Sequence, residues 1–259
     1  MKPSQIGHST ASALVIRGHD FAADILGKLD FVDLVMLTSA GRVPTPQEKV
    51  MLNMILVTAA GHGITPSVLA SRLTYLGAPE ALQGAIAAGL LGGGSVYLGP
   101  TQNIAQSLLD IAAQLPADPT DEQVALAAAE YLDAQVRRER PVLGVGSAYQ
   151  GGDPRVRGMR ELARANGFYR LHWRIMDGLA AVLSRRKGKV FELNGAGALG
   201  ATIADMGLDP LFGRGLMLTG RCAGLLAHLL EEKDEPIGQD VWGLVLAEQE
   251  RAAHKTGTA

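Results

Sequence analysis

Thr45-Pro46-Gln47-Glu48 packs three helix-opening signals into four residues. The threonine hydroxyl can accept a hydrogen bond from a first-turn amide, the proline leaves no amide unpaired, and the carboxylate sits at the positive end of the helix. Outward from this stretch the same signals recur. Thr65-Pro66 opens another helix, Ala78-Pro79-Glu80 a third, and Asp118-Pro119-Thr120-Asp121-Glu122 a long one. Asp153-Pro154 and Asp209-Pro210 open two more. Helix ends are marked by Gly77 after Tyr75-Leu76 and by Asn166-Gly167 after Ala163-Arg164. About ten helices are expected from such caps. One strand is expected, over Ser12 to Arg17, where Ala13-Leu14-Val15-Ile16 forms a short apolar run. The fold class is therefore all-α.

Two helices have readable faces. Between Leu216 and Glu232, Leu218, Cys222, Leu225 and Leu229 recur at helical spacing, and Leu226 and Leu230 widen the stripe. In the helix after Pro79, Gly84, Ala88 and Gly92 fall every fourth residue, a strip small enough for close packing in the core or across a dimer. The Gly/Pro-rich run Pro141 to Pro154, the break Leu115 to Thr120 and the junction Arg185 to Lys189 outline a small domain, 116–189. Residues 1–115 and 190–259 would form a large one.

Composition narrows the function. The 259 residues are 47% hydrophobic and 19% charged, with net charge −2. That describes an ordinary globular protein without the basic excess of a nucleic-acid binder. Arg137–Arg138–Glu139–Arg140 and Arg185–Arg186–Lys187 read as solvated helix ends. A single cysteine, Cys222, excludes an internal disulfide and a cysteine-clustered zinc site, and fits a reducing cytoplasm. The six histidines show no paired ligand spacing, so no metal is expected. Met1-Lys2-Pro3-Ser4-Gln5 lacks the apolar run of a secretory signal. Ala81 to Leu98, the most membrane-like stretch, reads as a tightly packed interior helix.

Three basic residues are placed oddly for a structural protein. His62, in Gly61-His62-Gly63, precedes the helix opened by Thr65-Pro66. A helix N-terminus does not favour a cation for its own sake, so this histidine is either part of an anion site or an idle loop residue. Arg155 lies in the first turn after Asp153-Pro154, where a bound anion or Asp153 itself would compensate it. Arg221 precedes Leu225 by four residues and borders an apolar stripe. It needs a protein carboxylate, a ligand carboxylate or a path to solvent. Gly195-x-Gly197-x-x-Gly200 has dinucleotide spacing, but no strand-turn-helix context surrounds it. Gly144-Val145-Gly146-Ser147 is a turn that could bring backbone amides to a ligand.

Together these segments resemble the citrate synthase superfamily, most closely its short branch of citryl-CoA lyases. His62-Gly63-Ile64-Thr65-Pro66-Ser67 through Arg72 is similar to the family's first substrate-histidine segment. Gly144 to Arg155 resembles its Gly-x-Gly-His…Asp-Pro-Arg loop, Asn194 to Gly207 its late Asn-Val-Asp helix, and Gly220-Arg221 to His228 the helix with a substrate-clamping arginine. Arg17 to Thr45 looks like its opening helices. The resemblance implies an all-α homodimer, or an oligomer built from dimers, with a large and a small domain and an active-site cleft between them. It implies a polycarboxylate and an acyl-CoA thioester as small-molecule ligands, with no permanently bound cofactor, no nucleic acid and no membrane. His62, Arg155 and Arg221 fall on substrate-binding positions. The departures concern chemistry. Where the family has an enol-stabilising histidine, near Val96 to Pro100, Tyr97 is the nearest polar group. Ser147 replaces the histidine after Gly-x-Gly, and Ala196 replaces the aspartate after Asn194. The expected catalytic groups are then His62, Ser147 and Tyr97, with Gly144 and Gly146 against the thioester. The expected reaction is retro-Claisen cleavage. A hydrolase, a decarboxylase and a non-catalytic binding protein remain alternatives.

Overall fold

The structure, a computed structural model, describes residues 4–147 and 152–256. Among these, eleven α-helices carry the fold: α1 (Phe31–Ala40), α2 (Pro46–Ala60), α3 (Pro66–Gly77), α4 (Leu82–Tyr97), α5 (Pro100–Ala112), α6 (Asp121–Arg137), α7 (Pro154–Ala165), α8 (Leu171–Lys187), α9 (Gly195–Asp205), α10 (Pro210–Asp234) and α11 (Gly238–Thr256). The expected all-α class holds. The expected strand is the middle of a three-stranded antiparallel sheet, β1 (Gly7–Ser9), β2 (Leu14–Ile16) and β3 (His19–Asp20). Its two outer strands are short and polar and give no apolar alternation. The β2–β3 turn is Arg17-Gly18, with φ of 49° and 84°, the positive values that tight hairpin turns require.

The chain forms two compact units, Met1–Met54 with Thr101–Gly213, and Ile55–Pro100 with Arg214–Ala259. The segment 116–189, expected as a small domain, lies wholly within the first. In that unit α8 packs on α6 and α9 around Trp173, which is fully buried. The Trp173 indole N–H donates to Thr202 Oγ1 at 3.1 Å. Asp205, at the end of α9, accepts from the amides of Arg170, His172 and Trp173 at 2.8, 2.9 and 3.1 Å. A carboxylate distant in sequence thus caps α8, which has no cap of its own. The glycine spacing of α9 serves packing. A side chain at Gly197 would strike the Gly144 carbonyl, and one at Gly200 would lie 2.6 Å from Ile104. At the start of α2, Thr45 and Glu48 exchange hydrogen bonds, and Arg42 grips Glu48 with both guanidinium arms at 2.8 and 2.6 Å. Arg42 holds the Glu48 carboxyl down at about 2 against the burial that would raise it.

In the second unit α3 packs along α4. Two expectations for α4 need correction. The helix starts at Leu82, because Pro79-Glu80 forms a turn before it. Its buried small-residue strip is Ala85, Gly89 and Gly93, one position on from Gly84, Ala88 and Gly92. The choice is steric: a Cβ at Gly89 would lie 2.7 Å from Leu225 and 3.0 Å from Ser71. Ser67 Oγ donates to the Gly89 carbonyl at 2.5 Å. Gly94, at φ 48° and ψ −150°, breaks the helical backbone of α4, and a further helical stretch follows to Tyr97.

Candidate active site

Three of the expected site residues, His62, Tyr97 and Arg221, belong to the second unit. Their scaffold begins with α2 and α10. A Cβ at Gly220 would strike the Leu56 carbonyl, and one at Gly224 the Ala60 carbonyl. Only glycine lets the two backbones approach so closely. The chain leaves α2 at Gly61 beside α10, and Thr65 caps α3 through a hydrogen bond from the Val68 amide.

Arg221 lies within the buried stripe of α10 rather than at its border. Leu225 and Leu229 are sealed, whereas Leu226 and Leu230 are exposed. The buried stripe passes through Gly220, Arg221, Gly224, Leu225, Leu229 and Glu232, with His228 half-buried on the same face, as are Leu218 and Cys222. Arg221 is 4% exposed, and its Nε is closed off from solvent with no hydrogen-bond partner. Burial pushes its pKa down, and among the described residues no carboxylate offsets that loss. Of the three outcomes open to it, a protein carboxylate is not met among the described residues, and only a small fraction of the side chain reaches solvent.

Seven residues on, His228 faces the same way, about 10 Å further along the helix. Its Nε2 lies 2.8 Å from the His62 carbonyl oxygen. A carbonyl only accepts, so Nε2 carries the proton. Its Nδ1 lies 3.1 Å from Arg72 Nη2, which only donates. Glu231 Oε2 is farther from Nδ1, at 3.7 Å, beyond a hydrogen bond. Arg72 is itself fully buried and also binds Glu231 and Glu232, the latter at 2.7 Å. Burial raises the Glu232 carboxyl, but Arg72 and the amides of Ile237 and Gly238 more than offset it, and the net shift is downward. Arg72, His228 and Glu232 carried no expected role. The visible signal was the seven-residue step from Arg221 to His228, which puts both on one helical face. Tyr97 is 58% exposed at the end of α4.

The other expected residues belong to the first unit. Arg155 meets Asp153 with two arms, Nε at 2.9 Å and Nη2 at 2.7 Å. Asp153 also accepts from the Gly195 amide at 2.8 Å, joining the first turns of α7 and α9. The compensating anion of Arg155 is therefore Asp153, whose carboxyl the guanidinium holds at about 2 despite its burial. The Gly144 to Ser147 turn is tied down. The Gly146 amide donates to the Glu192 carbonyl at 2.7 Å, and the Gly146 carbonyl accepts from Asn194 Nδ2 at 2.8 Å. Gly146 therefore cannot offer its amide to a ligand in this conformation, contrary to expectation. Gly144 takes a positive φ of 81° and packs on Gly197. Gly146 and Ser147 line a surface groove with Lys189, Phe191 and Glu192.

Among the described residues no cluster of His, Cys, Asp or Glu is arranged to hold a metal ion, and no helix is long and apolar enough to cross a membrane.

The sequence of residues 8–239 matches the family model described as citrate synthase, C-terminal domain. The chain belongs to the citrate synthase family. Among solved structures it is similar to a citryl-CoA lyase from Hydrogenobacter thermophilus, 30% identical over 90% of this chain and 87% of that one, with a TM-score of 0.77. An ATP citrate lyase from Methanosaeta concilii, solved with (3S)-citryl-CoA, is 19% identical over 90% of this chain and 40% of that one, at a TM-score of 0.70. A citrate synthase from Thermotoga maritima is 18% identical over 80% and 55%, at 0.62. The last two share the citrate synthase fold with this chain. Among curated proteins none matches.

Proposed function

We propose that this protein is a carbon–carbon lyase that cleaves a citryl-CoA-like thioester into an acyl-CoA and a 2-oxoacid such as oxaloacetate. The observation that carries this reading is Arg221, a buried guanidinium that meets no carboxylate among the described residues, in the stripe that also meets the His62 loop. Such a group is stabilised by an arriving carboxylate, which it can take with two parallel hydrogen bonds. The 30% identity to a citryl-CoA lyase along most of both chains supports the choice of substrate class.

In this reading Arg221 and Arg155 hold carboxylates, and His62 takes the proton of the tertiary hydroxyl. The oxygen lone pair becomes the new carbonyl. The electron pair of the breaking carbon–carbon bond passes into the thioester as an enolate, which is then protonated at carbon. Ser147 and Tyr97 are the proposed donors to the enolate oxygen. A neutral donor in such a role typically contributes ~10²–10³ in rate. Coenzyme A arrives as part of the substrate, with the turn at Gly144 and Gly146 against the thioester through its glycine backbone rather than through the Gly146 amide, which Glu192 holds. The exposed apolar residues Val57, Leu91, Val96 and Leu230 fit a homodimer, and the single thiol fits a cytoplasmic setting.

Incubation with citryl-CoA tests the reading: oxaloacetate and acetyl-CoA should appear together. A second reading, a citrate- or CoA-binding protein without turnover, is favoured by Ser147 and Ala196 standing where the family has an acid–base pair. Binding of citrate with no cleavage would establish it, and release of free thiol without oxaloacetate would point to a hydrolase.

A further inference from the structure

His62 stands between two glycines, Gly61 and Gly63, the residues that restrict a backbone least. Left to itself, a Gly-His-Gly segment would present its imidazole in many directions. Two bonds hold its backbone on either side. On the near side the His62 amide donates to the Ala60 carbonyl at 3.0 Å, which continues the end of α2. On the far side the His62 carbonyl accepts from His228 Nε2 at 2.8 Å. The first bond defines the approach to His62, and the second holds the peptide plane leaving it.

The second bond is itself held in place. His228 donates through Nε2, and because Arg72 Nη2 donates to Nδ1 at 3.1 Å, Nδ1 is the nitrogen left without a proton. Arg72 cannot rotate away, because its other arm is fixed to buried Glu232 at 2.7 Å, and Glu232 is fixed in turn by the first amides of α11. Four elements therefore converge on one carbonyl: α3 through Arg72, α10 through His228 and Glu232, α11 through Gly238, and the loop itself. A chain of hydrogen bonds that sets a histidine tautomer resembles the outer shell that orients a reacting group more than it resembles core packing.

We propose that His228, with its tautomer set by Arg72, is a positioning residue that fixes the His62 peptide and so aims the His62 imidazole at the substrate. This rests on the reading of His62 as the group that meets the substrate hydroxyl. Misplacement of a reacting group by about 1 Å costs roughly 10² in rate. Loss of the clamp should therefore lower kcat more than it weakens citrate binding, which the arginines dominate.

Three variants and two readouts decide the matter. In His228→Gln the terminal amide can still donate to the His62 carbonyl and accept from Arg72. In His228→Asn the side chain stays polar but is too short to reach, and in His228→Leu both bonds are lost. The first readout needs no substrate: the C–H resonances of the His62 ring, assigned by comparison with His62→Gln, followed against pH in the free protein. The clamp predicts an altered titration and broadened lines in the Asn and Leu variants and near-native behaviour in Gln. The second readout is kcat and KM on citryl-CoA, with kcat falling about 10–10² in Asn and Leu and largely restored in Gln. Unchanged His62 resonances in His228→Asn overturn the clamp, even if the Leu variant fails to fold. Altered resonances with unchanged kcat overturn its part in positioning. A wild-type protein that turns over no thioester overturns the reading of function instead, and the resonances still decide the clamp.

Discussion

Arg221 costs the folded protein free energy, because a charge has left water without meeting an opposite one. Such groups are kept for binding rather than for stability. Arg221→Met keeps the volume and removes the charge, so it should raise the melting temperature, with a gain of about 1–4 kcal/mol. The same change should remove about 1.5–3 kcal/mol or more of citrate binding. Calorimetric melting and titration of one preparation measure both, and a variant that melts lower while binding citrate normally would show that Arg221 is structural. Arg221→Lys separates charge from geometry, since an ammonium cannot form the two-armed contact; most of the affinity should be lost there too. The importance of Arg221 was legible in the sequence because an arginine on an apolar stripe always demands an explanation. The role of His228 was not legible. A helical histidine next to leucines looks the same whether it packs idly or holds a carbonyl 166 residues away. Arg155 falls between these cases, since Asp153 was foreseen as one possible partner and is the one observed.

Among the elements, the pairing of α2 with α10 depends on two missing side chains. Gly224→Ala would drive a methyl into the Ala60 carbonyl, and Gly220→Ala into the Leu56 carbonyl. Both oxygens belong to a helix backbone and cannot step aside as a flexible side chain would. Each substitution should cost about 1–3 kcal/mol, as overpacking does. Each should also weaken citrate binding, because Arg221 and the His62 loop ride on the same two helices. Chemical denaturation checks the first effect and titration the second, and a Gly224→Ala protein as stable as wild type would contradict the close packing. Helix starts were well legible, since Thr45, Thr65, Thr120, Asp153 and Asp209 announce themselves by local chemistry. Faces were less so. Small residues at spacing four occur in α4 in two registers, Gly84-Ala88-Gly92 and Ala85-Gly89-Gly93. Which one is buried follows from tertiary neighbours such as Leu225 and Ser71 beside Gly89 and Leu98 beside Gly93, which the spacing does not reveal. The cap of α8 was invisible for a similar reason: Asp205 lies more than thirty residues away from the amides it satisfies.

At the scale of the whole molecule, three buried carboxylates are held ionised by arginines: Glu48 by Arg42, Asp153 by Arg155 and Glu232 by Arg72. Glu48 falls from 4.5 to about 2 and Asp153 from 3.8 to about 2. A carboxyl whose folded value lies below its unfolded value stabilises the protein fully above the unfolded value. That contribution is lost as pH falls toward the folded one. The protein should therefore lose stability steeply between about pH 4.5 and 2, and Glu48→Gln should flatten that slope while lowering stability near neutrality. Melting curves across this range test the sign. Asp153 adds a functional consequence, because Arg155 can grip an incoming carboxylate only in competition with, or alongside, a partner it already holds with two arms. Asp153→Asn should free the guanidinium and loosen the first turns of α7 and α9 together. Citrate affinity then reports which effect prevails. If Arg155 and Arg221 serve one acid, Arg155→Ala and Arg221→Ala should each weaken a single 1:1 binding event, and the double variant should lose less than the sum of the two. Should Arg155→Ala leave citrate affinity untouched, Arg155 would belong to Asp153 alone, and the acid would be held by Arg221 and His62 without it.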